Sequence, residues 1–215
     1  MKKKIYKDIH NLERLLAAYY KVSSRKGKGV DNETGNIDGI NLDWFSKISG
    51  SLKDHSFRFK PIRKMYKDGS RRPLGIPNLR DKIILKSMEM SLSEVYEPIF
   101  SNHSHGFRRN RSCHSCLGDI KYGWQGTKWF IEGDINSYFE NIDHKILEKI
   151  LMETFSDREL IDLYWKAVRV DYIGFPTGEW EKGLKGVPQG STLSPVLSNI
   201  YLHKLDLFME KKIEE

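Results

Sequence analysis

Ile5, Ile9, Leu12, Leu15, Leu16 and Tyr19 recur at the spacing of one helical face and predict an amphipathic first helix ending near Lys21. Gly, Lys, Asn and Asp dominate Ser23 to Gly39, which reads as a long loop. Loops of that kind in compact domains often carry function. A second helix fits Leu42 to Leu52. From Phe57 to Met65 the pattern changes to alternation, with Phe57, Phe59 and Pro61 opposite basic Arg58, Lys60 and Arg63. The turn signal Lys67-Asp68-Gly69-Ser70 then leads into a second extended run, Arg71 to Ile76, so the segment predicts a β-hairpin with a strongly basic tip.

Pro77-Asn78 restarts the chain in a long helix whose core face is Ile83, Ile84, Met88, Leu92, Val95 and Tyr96, ending at Pro98. Ser101 to Arg111 is a loop with arginines and histidines, and Ser112 suits the N-cap of a helix through about Trp124. Trp129-Phe130-Ile131, followed by Glu132-Gly133-Asp134, predicts a short buried strand that delivers a carboxylate at its end. Helices follow from Asp143 to about Thr154 and from Asp157 to about Val168. A hairpin around Tyr172–Glu181 precedes Gly186-Val187-Pro188-Gln189-Gly190, and Thr192 to Met209 reads as a final helix. Segregated helices and hairpins define an α+β class.

The 215 residues are 39% hydrophobic and 30% charged. A chain of this size hides roughly 70% of its unfolded surface, which disfavours disordered and disulfide-dependent classes. Apolar runs fall short of the ~20 residues that cross a bilayer, so a soluble protein without membrane partners is expected. Cys113 and Cys116 form a C-x-x-C with no second pair. They read as two thiols on a helix, with a redox or metal site as the alternative. The formal charge of +7 is uneven: residues 1–72 carry 18 basic against 8 acidic residues, net +10, and the remainder is net −3. Such a lobe suits a polyanion, or is simply a solvated basic face.

Three elements carry candidate chemistry. Asp134 offers carboxylate and backbone oxygens suited to a hard cation, although one carboxylate alone is more readily a cap or a salt-bridged surface charge. Lys67, Arg71 and Arg72 at the hairpin tip offer point and forked cations for phosphates, or a charged edge that prevents strand addition. Gly186 to Pro195 combines backbone that can approach a ligand with the amide of Gln189, or is a turn into a capped helix.

The order of these blocks is more telling than any one of them. Arg-Pro-Leu-Gly-Ile-Pro, His-Gly-Phe-Arg-Arg-Asn-Arg-Ser, Phe-Ile-Glu-Gly-Asp with Asn-Ile-Asp-His, and Gly-x-Pro-Gln-Gly with Leu-Ser-Pro and Asn-Ile-Tyr-Leu follow one another between Lys60 and Asp206. The series resembles the reverse transcriptase domain of group II intron-encoded proteins, which combine RNA-directed DNA polymerase and RNA maturase roles. The resemblance implies a right-hand polymerase fold with fingers over 1–125 and an incomplete palm over 126–215. It implies that Asp134 and Ile135 bind Mg2+, Asp134 being catalytic. Phe139 would lie under the sugar and discriminate against a ribose hydroxyl. Lys67 and Arg72 would hold the triphosphate of a dNTP, and Gln189 and Gly190 would line its pocket. Lys26, Lys28, Arg63, Arg71, Arg108, Arg109 and Arg111 would contact RNA.

The implied partners are the intron RNA and an RNA template with a DNA primer, with a homodimer through the fingers also possible in this family. The family's Tyr-x-Asp-Asp hairpin is absent, so the chain is expected to be a fragment that does not polymerise alone. Two smaller departures are Gly190-Ser191-Thr192 and Arg109-Asn110, neither of which removes a side chain assigned above. The alternative is a non-catalytic, RNA-binding splicing factor. A retron-like or CRISPR-associated polymerase is a third reading, against which the N-terminal extension and Asn-Ile-Asp-His stand.

Overall fold

Asn11 divides the first amphipathic stretch. Its Oδ1 accepts the backbone amides of Glu13 at 2.8 Å and Arg14 at 3.4 Å, so the chain ends α1 (Tyr6–Ile9) and starts again as α2 (Leu12–Ser23). The apolar period continues across the break, which is why the sequence pattern reads as one helix. The computed structural model describes residues 2–23, 40–66 and 73–214. The expected loop over 23–39 and the hairpin tip over 67–70 lie almost wholly outside them.

Helix α3 (Leu42–Lys53) is capped by Asn41, whose side chain accepts from the Trp44 amide at 2.9 Å. Helix α4 (Leu79–Tyr96) is the centre of the molecule. Ile83 and Ile84 have no exposed surface, as have Ile9, Leu15, Ala18 and Val22 in the N-terminal helices. Burying a side chain of that size contributes about 1.5 to 3 kcal/mol. Two polar positions of α4 are bonded into the core: the Ser87 hydroxyl donates to the Ile9 carbonyl at 2.7 Å, and Asp81 accepts the Lys60 amide at 2.8 Å.

Strands β1 (Ile62–Tyr66) and β2 (Pro73–Ile76) form the expected antiparallel hairpin, with Arg63 opposite Ile76 and Met65 opposite Leu74. Strands β3 (Tyr172–Gly174) and β4 (Trp180–Glu181) form the second. The two hairpins join edge to edge, β1 pairing parallel to β3, into one sheet of order β2-β1-β3-β4. Helix α5 (Cys113–Gly123) opens on a capping box between Ser112 and Ser115. The short α6 (Tyr138–Asn141), α7 (His144–Thr154), α8 (Arg158–Val168) and α9 (Ser194–Glu214) complete the chain.

The predicted strand at Trp129-Phe130-Ile131 does not form. These side chains are 87%, 76% and 100% exposed, and residues 119–137 are exposed throughout. A strand exists only through a neighbour that accepts its ladder and covers its face. Among the described residues no segment pairs with this one. The apolar pattern registers a need for cover without identifying what provides it.

The core is continuous across the expected boundary near residue 125. Tyr96 packs edge-on against Phe155, and its hydroxyl is 3.0 Å from the Thr154 hydroxyl. The N-terminus is tied to the same place. Lys3 bridges to Phe155, and the buried Asp157 carboxylate accepts the amides of Ile5 at 2.5 Å and Tyr6 at 2.9 Å.

Candidate nucleotide-binding cleft

Three backbone hydrogen bonds and one from a histidine side chain bring distant motifs together. The Gly186 amide donates to the Ile142 carbonyl at 3.0 Å and the Val187 amide to the Phe139 carbonyl at 2.8 Å, which lays the Gly186–Gly190 loop along α6. The buried His144 donates from Nε2 to the Gly186 carbonyl at 2.5 Å. From the other side, the Gly75 amide of β2 donates to the Gln189 carbonyl at 2.6 Å. Close approach explains the glycines. A Cβ at Gly186 would lie 2.7 Å from backbone atoms of Phe139 and Glu140, and one at Gly190 would lie 2.6 Å from the Gly75 carbonyl. Both also have positive φ, +76° and +103°.

The result is a cleft of about 920 Å³ that gathers Asp134, Ile135, Phe139, Gln189 and Gly190, residues up to 56 positions apart. All five residues predicted from the palm motifs are on its wall. Asp134 and Ile135 are exposed, whereas the Phe139 ring is half-buried. Ser137, in the left-handed region at φ 49°, turns the chain into α6. The Tyr138 hydroxyl donates to the Ser198 carbonyl at 2.8 Å, anchoring α6 to α9, and burial pushes that phenol up to about 12. The Gln189 side-chain amide donates to Glu140 at 3.3 Å. At the far end, the Ser194 hydroxyl donates to the Pro188 carbonyl at 2.7 Å, so the start of α9 closes the loop.

The predicted arginines have different fates. Arg108 is buried, and all five of its N–H donors are used: Nη1 to the carbonyls of Ser101 and Ser104, Nη2 to the Glu97 carbonyl and carboxylate, and Nε to the same carboxylate. Arg108, expected along the RNA, is turned inward in this structure. Its charge is consumed inside the 101–111 loop, because Glu97 at the end of α4 and the turn carbonyls reach it first. Arg109 is exposed, and Arg111 donates to Asn102 at 2.9 and 3.2 Å. Arg63 lies with its guanidinium 3.7 Å above the Phe175 ring, on the sheet and away from the cleft wall. Lys26, Lys28, Lys67, Arg71 and Arg72 lie outside the described residues.

The oxygen donors of Asp134 and Ile135 suit a hard cation, but one carboxylate does not complete a site. Among the described residues no group of three potential metal ligands occurs. Cys113 and Cys116 are free thiols on α5. Sequence reading passed over Phe107 and Asn199, which also line the cleft. The His-Gly-Phe run was the available signal for the former.

Residues 62–214 match the family described as reverse transcriptase (RNA-dependent DNA polymerase). The chain is 38% identical to the putative COX1/OXI3 intron 2 protein of Saccharomyces cerevisiae, over 98% of this chain and 25% of that protein. It is 39% identical to the group II intron-encoded protein LtrA of Lactococcus lactis, over 96% of this chain and 35% of that protein. The chain thus spans about a quarter to a third of the length of these two relatives. A solved partial Cas6-RT-Cas1–Cas2 complex shares the fold, with a TM-score of 0.63 at 22% identity over 97% of this chain and 35% of that one. No helix among the described residues is long and apolar enough to cross a membrane. The cleft joins the Asp134, Phe139 and Gln189 motifs in one α+β unit, and with the match over residues 62–214 the chain belongs to the reverse transcriptase family.

Proposed function

We propose that the chain carries the nucleotide pocket and part of the template path of an intracellular RNA-directed DNA polymerase encoded by a group II intron, which also binds its intron RNA as a maturase. The observation that carries this reading is the meeting of Asp134, Ile135, Phe139, Gln189 and Gly190 in one cleft. The +10 charge of residues 1–72 supports a polyanionic partner.

In this reading the Phe139 ring supports the deoxyribose and leaves no room for a ribose hydroxyl. Gln189 and the Gly190 backbone border the nucleotide. The basic hairpin tip neutralises its triphosphate, and Arg109 and Arg111 lie along the RNA. Asp134 and the Ile135 carbonyl would contribute ligands to Mg2+. When bound, Mg2+ would supply Lewis-acid activation of a primer hydroxyl and charge neutralisation at a leaving pyrophosphate. The contribution of these residues is position, charge and exclusion of the wrong sugar.

The test is primer extension on an RNA template by the full-length protein with magnesium. Asp134→Asn is expected to abolish extension while intron RNA binding persists. Undiminished extension by that variant overturns the assignment. A wild-type protein that binds the intron without extending any primer favours the splicing-factor alternative.

A further inference from the structure

Phe107 is a bulky aromatic held where bulky aromatics are uncommon. Its φ is 56°, in the left-handed region, and its side chain is 75% exposed. A residue persists in that conformation only where its surroundings dictate it. Here both neighbours are pinned. The Gly106 carbonyl accepts Nδ2 of Asn199, on α9, at 2.8 Å. Arg108 is fixed through its five hydrogen bonds and lies over the Phe100 ring at 5.2 Å. The loop is rigid on either side of an aromatic ring that gains little burial from the arrangement.

The ring stands in the cleft. It meets Phe139 edge to face, with centroids 6.4 Å apart and planes at 89°, and shares the cleft wall with Asp134, Gln189 and Asn199. An apolar face kept open to water beside amides and carboxylates matches a ligand that is flat, π-faced and polar at its edge. Nucleobases have that chemistry, and stacking on an aromatic is how single-stranded bases are held without sequence preference. We propose that Phe107 is a stacking platform for a nucleobase in the cleft, held out by Arg108 and Asn199. The proposal rests on the polymerase reading, which supplies two sources of that base, the RNA strand and the incoming nucleotide.

Two probes separate the sources: a short single-stranded oligoadenylate RNA and dATP, each titrated against the full-length protein. Their baseless counterparts are an abasic oligonucleotide and inorganic tripolyphosphate. Because the ring is exposed, Phe107→Leu, Phe107→Ala and Phe107→Trp are expected to fold as the parent does, which circular dichroism checks. The Leu and Ala variants are expected to bind one probe about tenfold more weakly, with Trp restoring affinity and no penalty on the baseless counterpart. A loss on RNA alone assigns the base to the strand, and a loss on dATP alone assigns it to the nucleotide. Wild-type binding that Phe107→Leu leaves unchanged, or a penalty that persists without the base, overturns the platform and leaves the polymerase reading intact. Binding of neither probe by the wild-type chain overturns both.

Discussion

The His144 imidazole and the Gly186 carbonyl, both buried, are joined by a 2.5 Å hydrogen bond that fixes the entry to the Val187–Gly190 loop. Since Nε2 donates, Nδ1 is the unprotonated nitrogen, and it is buried without a hydrogen-bond partner. Tyr164, whose hydroxyl donates to the His144 carbonyl at 2.8 Å, holds the same residue from α8. One side chain of α7 thus positions the loop that places Gln189.

His144→Phe leaves a buried carbonyl unsatisfied and is expected to lower stability by about 1 to 3 kcal/mol. His144→Gln, which keeps a donor, is expected to lose less. Urea unfolding of the two variants beside the parent measures the difference. Equal losses would mean that ring packing against Trp165, not the hydrogen bond, is what matters.

Burial holds the His144 imidazole below its ordinary value, with the Gly186 hydrogen bond opposing and Arg169 adding to the depression. His10 and His203 are lowered by burial as well. A base with a lowered folded-state pKa binds fewer protons folded than unfolded between the two values. Stability is therefore full above about 6.5 and declines as pH falls below it toward the folded-state value. Thermal melts at pH 7.5, 6.5 and 5.5, all on the order of the imidazole range, should show this decline, and His144→Gln should flatten it. An unchanged slope in that variant would exclude His144 as a source.

Gly186→Ala places a methyl 2.7 Å from the Phe139 and Glu140 backbone at a φ of +76°. Left-handed backbone alone costs on the order of 1 to 3 kcal/mol in a residue with a Cβ, and the clash cannot relax by side-chain motion. The expected result is a loss of at least about 3 kcal/mol, or a loop displaced from α6. Amide exchange at Val187 distinguishes these outcomes, since only displacement frees that amide from the Phe139 carbonyl.

Asp157→Ala removes the acceptor shared by the Ile5 and Tyr6 amides. Leaving both buried donors unpaired is expected to cost about 2 to 6 kcal/mol, at ~1 to 3 kcal/mol for each. Hydrogen exchange should become faster at Ile5 and Tyr6 while α4 stays protected. Faster exchange along α4 as well would mean that the N-terminal helices and the core open together.

Trp129, Phe130 and the fully exposed Ile131 form a contiguous apolar run within an exposed segment. Such segments associate in water. Trp129→Ser with Phe130→Ser is expected to raise the concentration at which the chain sediments as a monomer, and to change stability by less than about 0.5 kcal/mol. A larger destabilisation would mean that these rings are covered in solution.

The sequence by itself determined the longer helices, the two hairpins, the cap at Ser112 and the palm-motif residues of the cleft. Each of these is written in local periodicity, in turn chemistry or in a motif. Only the tertiary structure decided the rest. Nothing local says that β1 and β3 pair, because strand partners 110 residues apart are chosen by packing on a common core. Trp129-Phe130-Ile131 has the composition of a buried strand and remains uncovered, because a strand's burial depends on its neighbour. Arg108, a cation in a basic loop, turns inward because Glu97 and the carbonyls of Ser101 and Ser104 satisfy all its donors, and by doing so it leaves Phe107 facing the cleft.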